Sequence, residues 1–227
     1  MVDLERDLAR AFALLGLKNQ AVLVLVGGAG SMNPDSGDAA LRNLFFKVLA
    51  PFAESLQAIV IDGGTDSGVM KLMGAARSEI RGTFPLLGVA AIDTVDLPKR
   101  PGKGKGTAPL EPRHSHFLIV PGNRWGDESP WIARVASLLS IGFRSLTVVV
   151  NGGETTLRDI AFSIRERRPI LVVSGSGRTA DRLAGGLDEG SADPEIRALL
   201  SSGLIQALEI DRDPAELFRT LGGWLTG

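Results

Sequence analysis

Short runs that are apolar at most or all positions recur along the chain. Between them lie stretches with apolar residues every third or fourth position. The first rhythm predicts strands and the second predicts helices. The predicted strands are Ala21 to Val26, Ala58 to Ile61, Leu86 to Ile92, Phe117 to Val120, Leu146 to Val150, Pro169 to Val173 and Ile205 to Glu209. Leu4, Leu8, Phe12 and Leu15 recur at helical spacing and predict an opening helix. Ala39 to Ala53 places Leu41, Leu44, Phe45, Val48 and Leu49 on one helical face. Further helices are predicted from about Val69 to Ile80, Ile132 to Ser140, Thr156 to Glu166, Thr179 to about Ala184, and Pro214 to Trp224. Strands that do not alternate apolar with polar are buried on both faces. Their alternation with helices predicts an α/β fold, a Rossmann-like three-layer αβα sandwich with a mostly parallel central sheet. No repeat unit or linker divides the chain, so residues 1–227 read as one domain.

Two segments break the rhythm. Leu97 to Arg113 is rich in Pro, Gly and Lys, and carries Lys99, Arg100, Lys103, Lys105 and Arg113 against the single acid Glu111. It predicts a mobile basic loop, either a solvated excursion or a lid that reaches a phosphate. Gly185 to Asp193 is rich in glycine and acid.

Glycines gather where strands end: Gly27, Gly28 and Gly30 with Ser31, then Gly63, Gly64, Thr65, Ser67 and Gly68, then Gly152, Gly153, Glu154 and Thr155, then Gly175, Ser176 and Gly177. In a parallel sheet these turns converge on the carboxyl edge, where ligands bind. The helices that follow offer N–H groups and a positive dipole end to an anion. One such turn is ordinary connection chemistry, but four on one edge suit a pyrophosphate or a ribose phosphate. The spacing differs from the dinucleotide fingerprint, and no Walker-type G-x-x-x-x-G-K-[ST] is present.

Composition narrows the chemistry. The chain has 25 Lys plus Arg and 26 Asp plus Glu, which gives no reason to expect nucleic-acid binding. It has no cysteine, which excludes thiol catalysis, disulfides and thiolate metal sites; with two histidines no metal site is expected. Met1 to Gln20, interrupted by Asp3, Glu5, Arg6, Asp7 and Arg10, is not expected to be a signal peptide. No apolar stretch approaches the roughly 20 residues that span a bilayer. A cytoplasmic location without membrane insertion is the expectation.

Several segments resemble motifs of the SLOG superfamily. Ile59 to Met70 is similar to its "GG-x-x-x-GVM" turn, Leu110 to Leu118 to an "LxxxHSHF" segment, Val150 to Glu154 to a "GG" turn, and Val173 to Asp181 to "GSGRxxD". More narrowly, they resemble the branch shared by stand-alone prokaryotic proteins and the cytoplasmic N-terminal (LSDAT) region of melastatin-type TRP channels. The resemblance spans Gly27 to Asp181. It implies a Rossmann-like fold and a nucleotide-derived ligand, which in the channel relatives is ADP-ribose or a similar molecule, with no further cofactor required. Related superfamily members are phosphoribohydrolases with the signature "PGGxGTxxE". The comparable segment here has Asn151 for the proline, Thr155 for the third glycine and Asp159 for the glutamate. These departures count against hydrolase chemistry.

Two functions from different classes therefore stand. One is binding and sensing of a small ADP-ribose-like nucleotide. The other is a nucleotide N-glycosidase, for which Glu154 and Asp159 are the catalytic candidates. Arg178 would pair with a phosphate, or is an exposed arginine. Asp181 would bind ribose hydroxyls, or is a carboxylate favoured by the helix dipole. Of His114 and His116, which lie just before a strand, His116 is favoured for the ligand. Trp125 and Trp131 would stack on a base or pack on helices. Apolar positions of the opening helix can support a homo-oligomer.

Overall fold

The computed structural model describes residues 4–28, 39–97 and 106–225. Within them the fold is α/β, with seven parallel strands between two helical layers. The sheet comprises β1 (Val22–Gly27), β2 (Ile59–Asp62), β3 (Leu86–Ala91), β6 (His116–Val120), β7 (Ser145–Val150), β8 (Ile170–Ser174) and β9 (Ile205–Glu209). Their order is β6-β3-β2-β1-β7-β8-β9. All seven runs read as strands thus enter one sheet. Two further strands of two residues, β4 (Val95–Asp96) and β5 (Ala108–Pro109), pair separately.

Alternate residues of each strand serve opposite layers. In β1, Leu23 and Leu25 join a core with Leu44, Phe45, Met73 and Leu217. Val22, Val24 and Val26 join another with Phe12, Val135, Ile160 and Leu183. The first layer holds α2 (Ala39–Asn43), α3 (Ala50–Leu56), α4 (Gly68–Glu79) and α9 (Pro214–Leu225); the second holds α1 (Leu4–Leu15), α5 (Ser129–Leu139), α6 (Glu154–Arg165), α7 (Arg178–Glu189) and α8 (Pro194–Leu200).

Two local departures from the sequence reading have physical causes. The helix expected over Ala39 to Ala53 runs on to Leu56 but widens to a π-helical segment at Leu44–Leu49. There the Ala50 N–H donates to the Phe45 carbonyl, five residues back. Pro51 next to it has no N–H and crowds the preceding turn, which a widened turn relieves. The helix expected to stop near Ala184 continues to Glu189, and α8 follows directly. Asp193 caps α8, its carboxylate accepting the Glu195 and Ile196 N–H groups, and Pro194 opens the helix. The Gly- and acid-rich stretch is thus a helix end and a cap.

From β1 the chain moves outward through β2, β3 and β6, then returns to the other side of β1 for β7, β8 and β9. The strand order reverses between β1 and β7, and the carboxyl ends there form the crevice in which ligands of open parallel sheets bind.

Candidate functional site

At that crevice a cleft is lined by Gly27 from β1, Gly63 and Thr65 after β2, Trp125 and Glu128 before α5, and Thr155 and Asp159 on α6; Leu25, Val26, Met70 and Ile132 make its floor. Glu128 stands immediately before α5, and both its carboxylate oxygens accept the Gly126 N–H, at 3.1 and 3.0 Å. Asp159 sits one turn into α6. The two acids share the cleft, and burial raises the pKa of both. For Asp159 burial dominates, the Ser129 hydroxyl and Arg158 pull the other way, Glu128 adds to the rise, and the result is about 7.

The sign of this perturbation gives a testable outcome. Folded Asp159 takes up a proton near pH 7, but the unfolded chain does so near 3.8. The wild type therefore loses stability as pH rises through that window. Asp159→Asn should be more stable than wild type at pH 8 by about 1–2 kcal/mol, the open side of the cleft reducing the full effect. Urea unfolding at pH 8, 6 and 4 checks this; the gain should shrink towards zero at the lowest pH, and a constant gain would contradict it.

A wider groove lies on the other side of the first turn of α6. Gly152, Gly153, Glu154, Leu157, Arg178, Thr179, Arg182 and Glu195 line it. Two rim residues with side chains, Asn151 and Arg178, hold left-handed φ values of 60° and 49°. Such strain persists only where the surroundings impose it. For Asn151 the cause is visible: its N–H donates to Ser176 Oγ at 2.7 Å, its Oδ1 accepts the Gly152 N–H at 2.8 Å, and its carbonyl accepts the Ala180 N–H. Turning the chain there brings the Arg178 guanidinium towards Gly153. Arg182 pairs with Asp193. The groove thus mixes two guanidiniums with Glu154 and Glu195.

Below the rim is an ionic cluster that the sequence reading passed over. His114 Nε2 lies 2.8 Å from Asp62 Oδ1, and its Nδ1 lies 2.9 Å from Glu111 Oε2, with all three side chains fully buried. Burial opposes charge on the ring, but the flanking acids prevail and raise His114 to about 9. Burial alone would raise Glu111 too; hydrogen bonds from His114 and Arg113 hold it below its ordinary range. The cluster pins a strap formed by residues 106–114. Along it the Glu111 N–H donates to the Gly64 carbonyl, the Asp66 N–H donates to the Pro109 carbonyl, and Thr65 bridges to Leu110. At its other end the Trp125 indole N–H donates to the Gly106 carbonyl at 3.1 Å. Both walls of the cleft therefore hang from one segment. The part of the expected mobile loop that is described, residues 106–113, is held in place; Lys99, Arg100, Lys103 and Lys105 lie outside the described residues.

The site residues expected from sequence divide as follows. Gly27, Gly63, Thr65, Thr155 and Asp159 meet in the cleft, and Gly152, Gly153, Glu154 and Arg178 in the groove. Gly28 lies between them against Asn151 and Gly152. Gly64, Ser67 and Gly68 shape the turn into α4: the Gly64 N–H donates to Asp62, Ser67 Oγ lies 3.2 Å from Thr65 Oγ1, and Gly68 begins the helix. Gly175 donates its N–H to Asp181, Ser176 is buried with its hydroxyl on the Val173 carbonyl, and Gly177 precedes α7. Asp181 and Ser176 hold the β8 turn together. His116 opens β6, towards the amino edge and away from the rim, with Nδ1 on Ser115. Gly30 and Ser31 lie outside the described residues. Glu128 and Ser129 were not singled out; a lone Asp-Glu-Ser carries no sequence signal, and only the fold sets it beside Asp159. Among the described residues no helix is long and apolar enough to cross a membrane, and no group of three or more His, Asp or Glu could hold a metal ion.

The model of the family described as "SLOG in TRPM, prokaryote" matches residues 20–219. The chain is similar to "Transient receptor potential cation channel subfamily M member-like 2" of Nematostella vectensis, 29% identical over 70% of this chain and 12% of that protein. It is similar to "Transient receptor potential cation channel subfamily M member 2" of Mus musculus, 27% identical over 72% of this chain and 13% of that protein. It is 30% identical to a "Transient receptor potential channel" of Caenorhabditis elegans, over 71% of this chain and 9% of that protein. The chain thus matches about one eighth or less of the length of these curated relatives.

Proposed function

The chain belongs to the prokaryotic SLOG-in-TRPM family, and from that premise we propose that it binds a phosphate-bearing, ADP-ribose-like nucleotide at the carboxyl edge of its sheet. The observation that carries this reading is the pairing of two depressions across the first turn of α6. Thr155 faces one and Glu154 the other. An elongated ligand would span both, with N–H groups of the first turns of α6 and α7 directed at its phosphates. Arg178, turned towards Gly153, supports the phosphate end in the groove.

Calorimetric titration with ADP-ribose, ADP, AMP and NAD tests the proposal. Binding in the micromolar range is the expected result, and Arg178→Ala should weaken it by about tenfold or more, the ordinary worth of a charge-assisted hydrogen bond. Unchanged affinity in Arg178→Ala would remove the phosphate from this groove.

The acid pair of the cleft favours one second reading, an N-glycosidase. Two carboxylates with raised pKa beside a nucleotide are suited to guide water onto the sugar carbon as its bond to the base breaks, with a proton passing to the leaving base. Chromatography of the titrated ligand distinguishes the two. Intact ligand supports a sensor; released base, lost in Asp159→Asn while binding persists, supports the enzyme.

A further inference from the structure

We propose that the amino edge of the sheet, opposite the rim, docks on the surface of a bilayer rich in anionic lipid. The docking is peripheral, spans nothing, and stands independently of the nucleotide reading.

The strands β3, β2, β1, β7 and β8 are neighbours in the sheet, and all begin at this edge. The turns that enter β3, β1, β7 and β8 carry Arg81, Lys18, Arg144 and Arg167, each exposed. Neighbouring strands lie about 4.8 Å apart, so the row of cations extends over about 20 Å. Among the described residues none of the four pairs with a carboxylate. The acids near these turns are engaged: Glu166 pairs with Arg134 at 3.6 Å, Glu79 with Arg42 at 3.2 Å, and Glu54 accepts the Thr83 and Phe84 N–H groups. The frame beneath the row is fixed. Asn19 Nδ2 donates to the Leu138 and Ile141 carbonyls at 2.9 and 3.4 Å, and the Val22 N–H donates to the Arg144 carbonyl at 3.1 Å. The buried Arg168 guanidinium ties the turn before β8 to Ser145 and Ser137, at 3.1 and 2.8 Å.

Two of the cations hold their places at a cost. Arg81 and Arg167 have left-handed φ values of 53° and 56°. The turns that enter β1, β7 and β9 place Gly16, Gly142 and Gly203 in that conformation, at 69°, 82° and 67°. Glycine is relaxed there and arginine is not, so folding alone favours glycine at 81 and 167 as well. Strain kept at both positions points to a use for the charge.

Apolar side chains stand among these cations. The three most exposed large hydrophobic residues among the described ones are Leu14 at 81%, Ile141 at 62% and Phe143 at 55%. Leu14 is in the last turn of α1, and the other two flank Gly142 in the turn between α5 and β7, so all three lie at this edge. One exposed apolar side chain is ordinary; three gathered among unpaired cations mark an interaction surface. The combination sorts the partners. A second copy of this face would bring like charges together. A nucleic acid would use the cations but bury no apolar tip. An acidic peptide would lie in a groove, and the cleft and groove described above are both at the opposite edge. An anionic bilayer takes both features, its headgroups facing the cations and its acyl boundary receiving the tips.

The test is co-sedimentation of the full chain with vesicles of phosphatidylcholine alone and of equal parts phosphatidylcholine and phosphatidylserine. Binding to the mixed vesicles only is expected, with release at about 1 M salt, where screening is nearly complete. Arg81→Gly and Arg167→Gly should each weaken that binding about fivefold, while thermal melts show both variants at least as stable as wild type. Phe143→Ser should weaken it at low salt too. Equal binding to both kinds of vesicle, binding to neither, or undiminished binding by the Arg81→Gly, Arg167→Gly double variant would overturn the inference. Undiminished binding by Phe143→Ser, with tighter retention on polyglutamate or duplex DNA than on vesicles, would overturn it in favour of a polyanion as the partner.

Discussion

Replacing His114 by Gln or Ala should cost about 3–5 kcal/mol of stability, the penalty for breaking a buried ion pair from one side. Asp62 and Glu111 would then be left buried without a countercharge between them. The Arg113 guanidinium on Glu111 is 44% exposed and only partly relieves this. In a chain of this size the melting temperature should fall by about 10 °C. The pH dependence carries the sharper signature. The His114 pKa rises on folding from 6.5 to about 9. The stability it contributes is fully present below pH 6.5 and is lost as pH rises through 9. Denaturant unfolding at pH 6.5, 8 and 9.5 should show wild type losing more stability across that range than the variant, which keeps only the part that Asp159 contributes to both near pH 7. Equal slopes in the two proteins would mean that the ring is neutral in the fold. Because the cluster anchors the strap, ligand affinity should fall too, even at temperatures where the variant remains folded.

Gly27→Ala should lose about 3 kcal/mol, but Gly28→Ala should stay within about 0.5 kcal/mol of wild type. A Cβ on Gly27 would come within 2.2 Å of the Val150 carbonyl oxygen and 2.7 Å of Val69 Cγ1. Backbone on one side and a packed helix on the other leave it nowhere to go, so β1 and β7 would have to part at the crevice. A Cβ on Gly28 meets nothing nearer than 3.4 Å. Thermal melts separate the two, and nucleotide titration of Gly28→Ala then shows whether the ligand approaches the backbone there. Comparable losses of stability in both variants would contradict this account.

These two cases mark how far the sequence could be read. Apolar runs such as Val22–Gly27 and Leu86–Ala91 declared buried parallel strands, because full burial on both faces leaves no polar positions in them. Glycines at strand ends declared a rim. They did not declare their individual reasons: Gly27 is there for strand packing and Gly64 donates to Asp62. Nor did Gly74, inside α4, declare that it makes room for Glu111, whose carboxylate would lie 2.3 Å from an added Cβ. Glu111 looked like a lone acid in a basic loop, and His114 the lesser of two histidines. Their partner Asp62 is separated from them by some fifty positions, and nothing local in the chain reports a contact of that range. The same holds for Glu128 and Ser129, whose meaning depends on α6 packing beside α5. Pattern reads faces and periods; it does not read which polar atoms meet across elements.

The place of β1 in the sheet has a kinetic consequence. It pairs with β2 on one side and with β7 on the other, joining Val22 to Ser145. The central strand therefore has one open edge until more than half of the chain has been made. That edge, Val-Leu-Val-Leu-Val, is apolar and uncharged, the composition most prone to pair with a second chain. Closing so long a loop is entropically slow. During synthesis, docking of β7 is thus the step that ends the exposure, and a nascent chain stalled before Ser145 is the form of this protein most prone to aggregate.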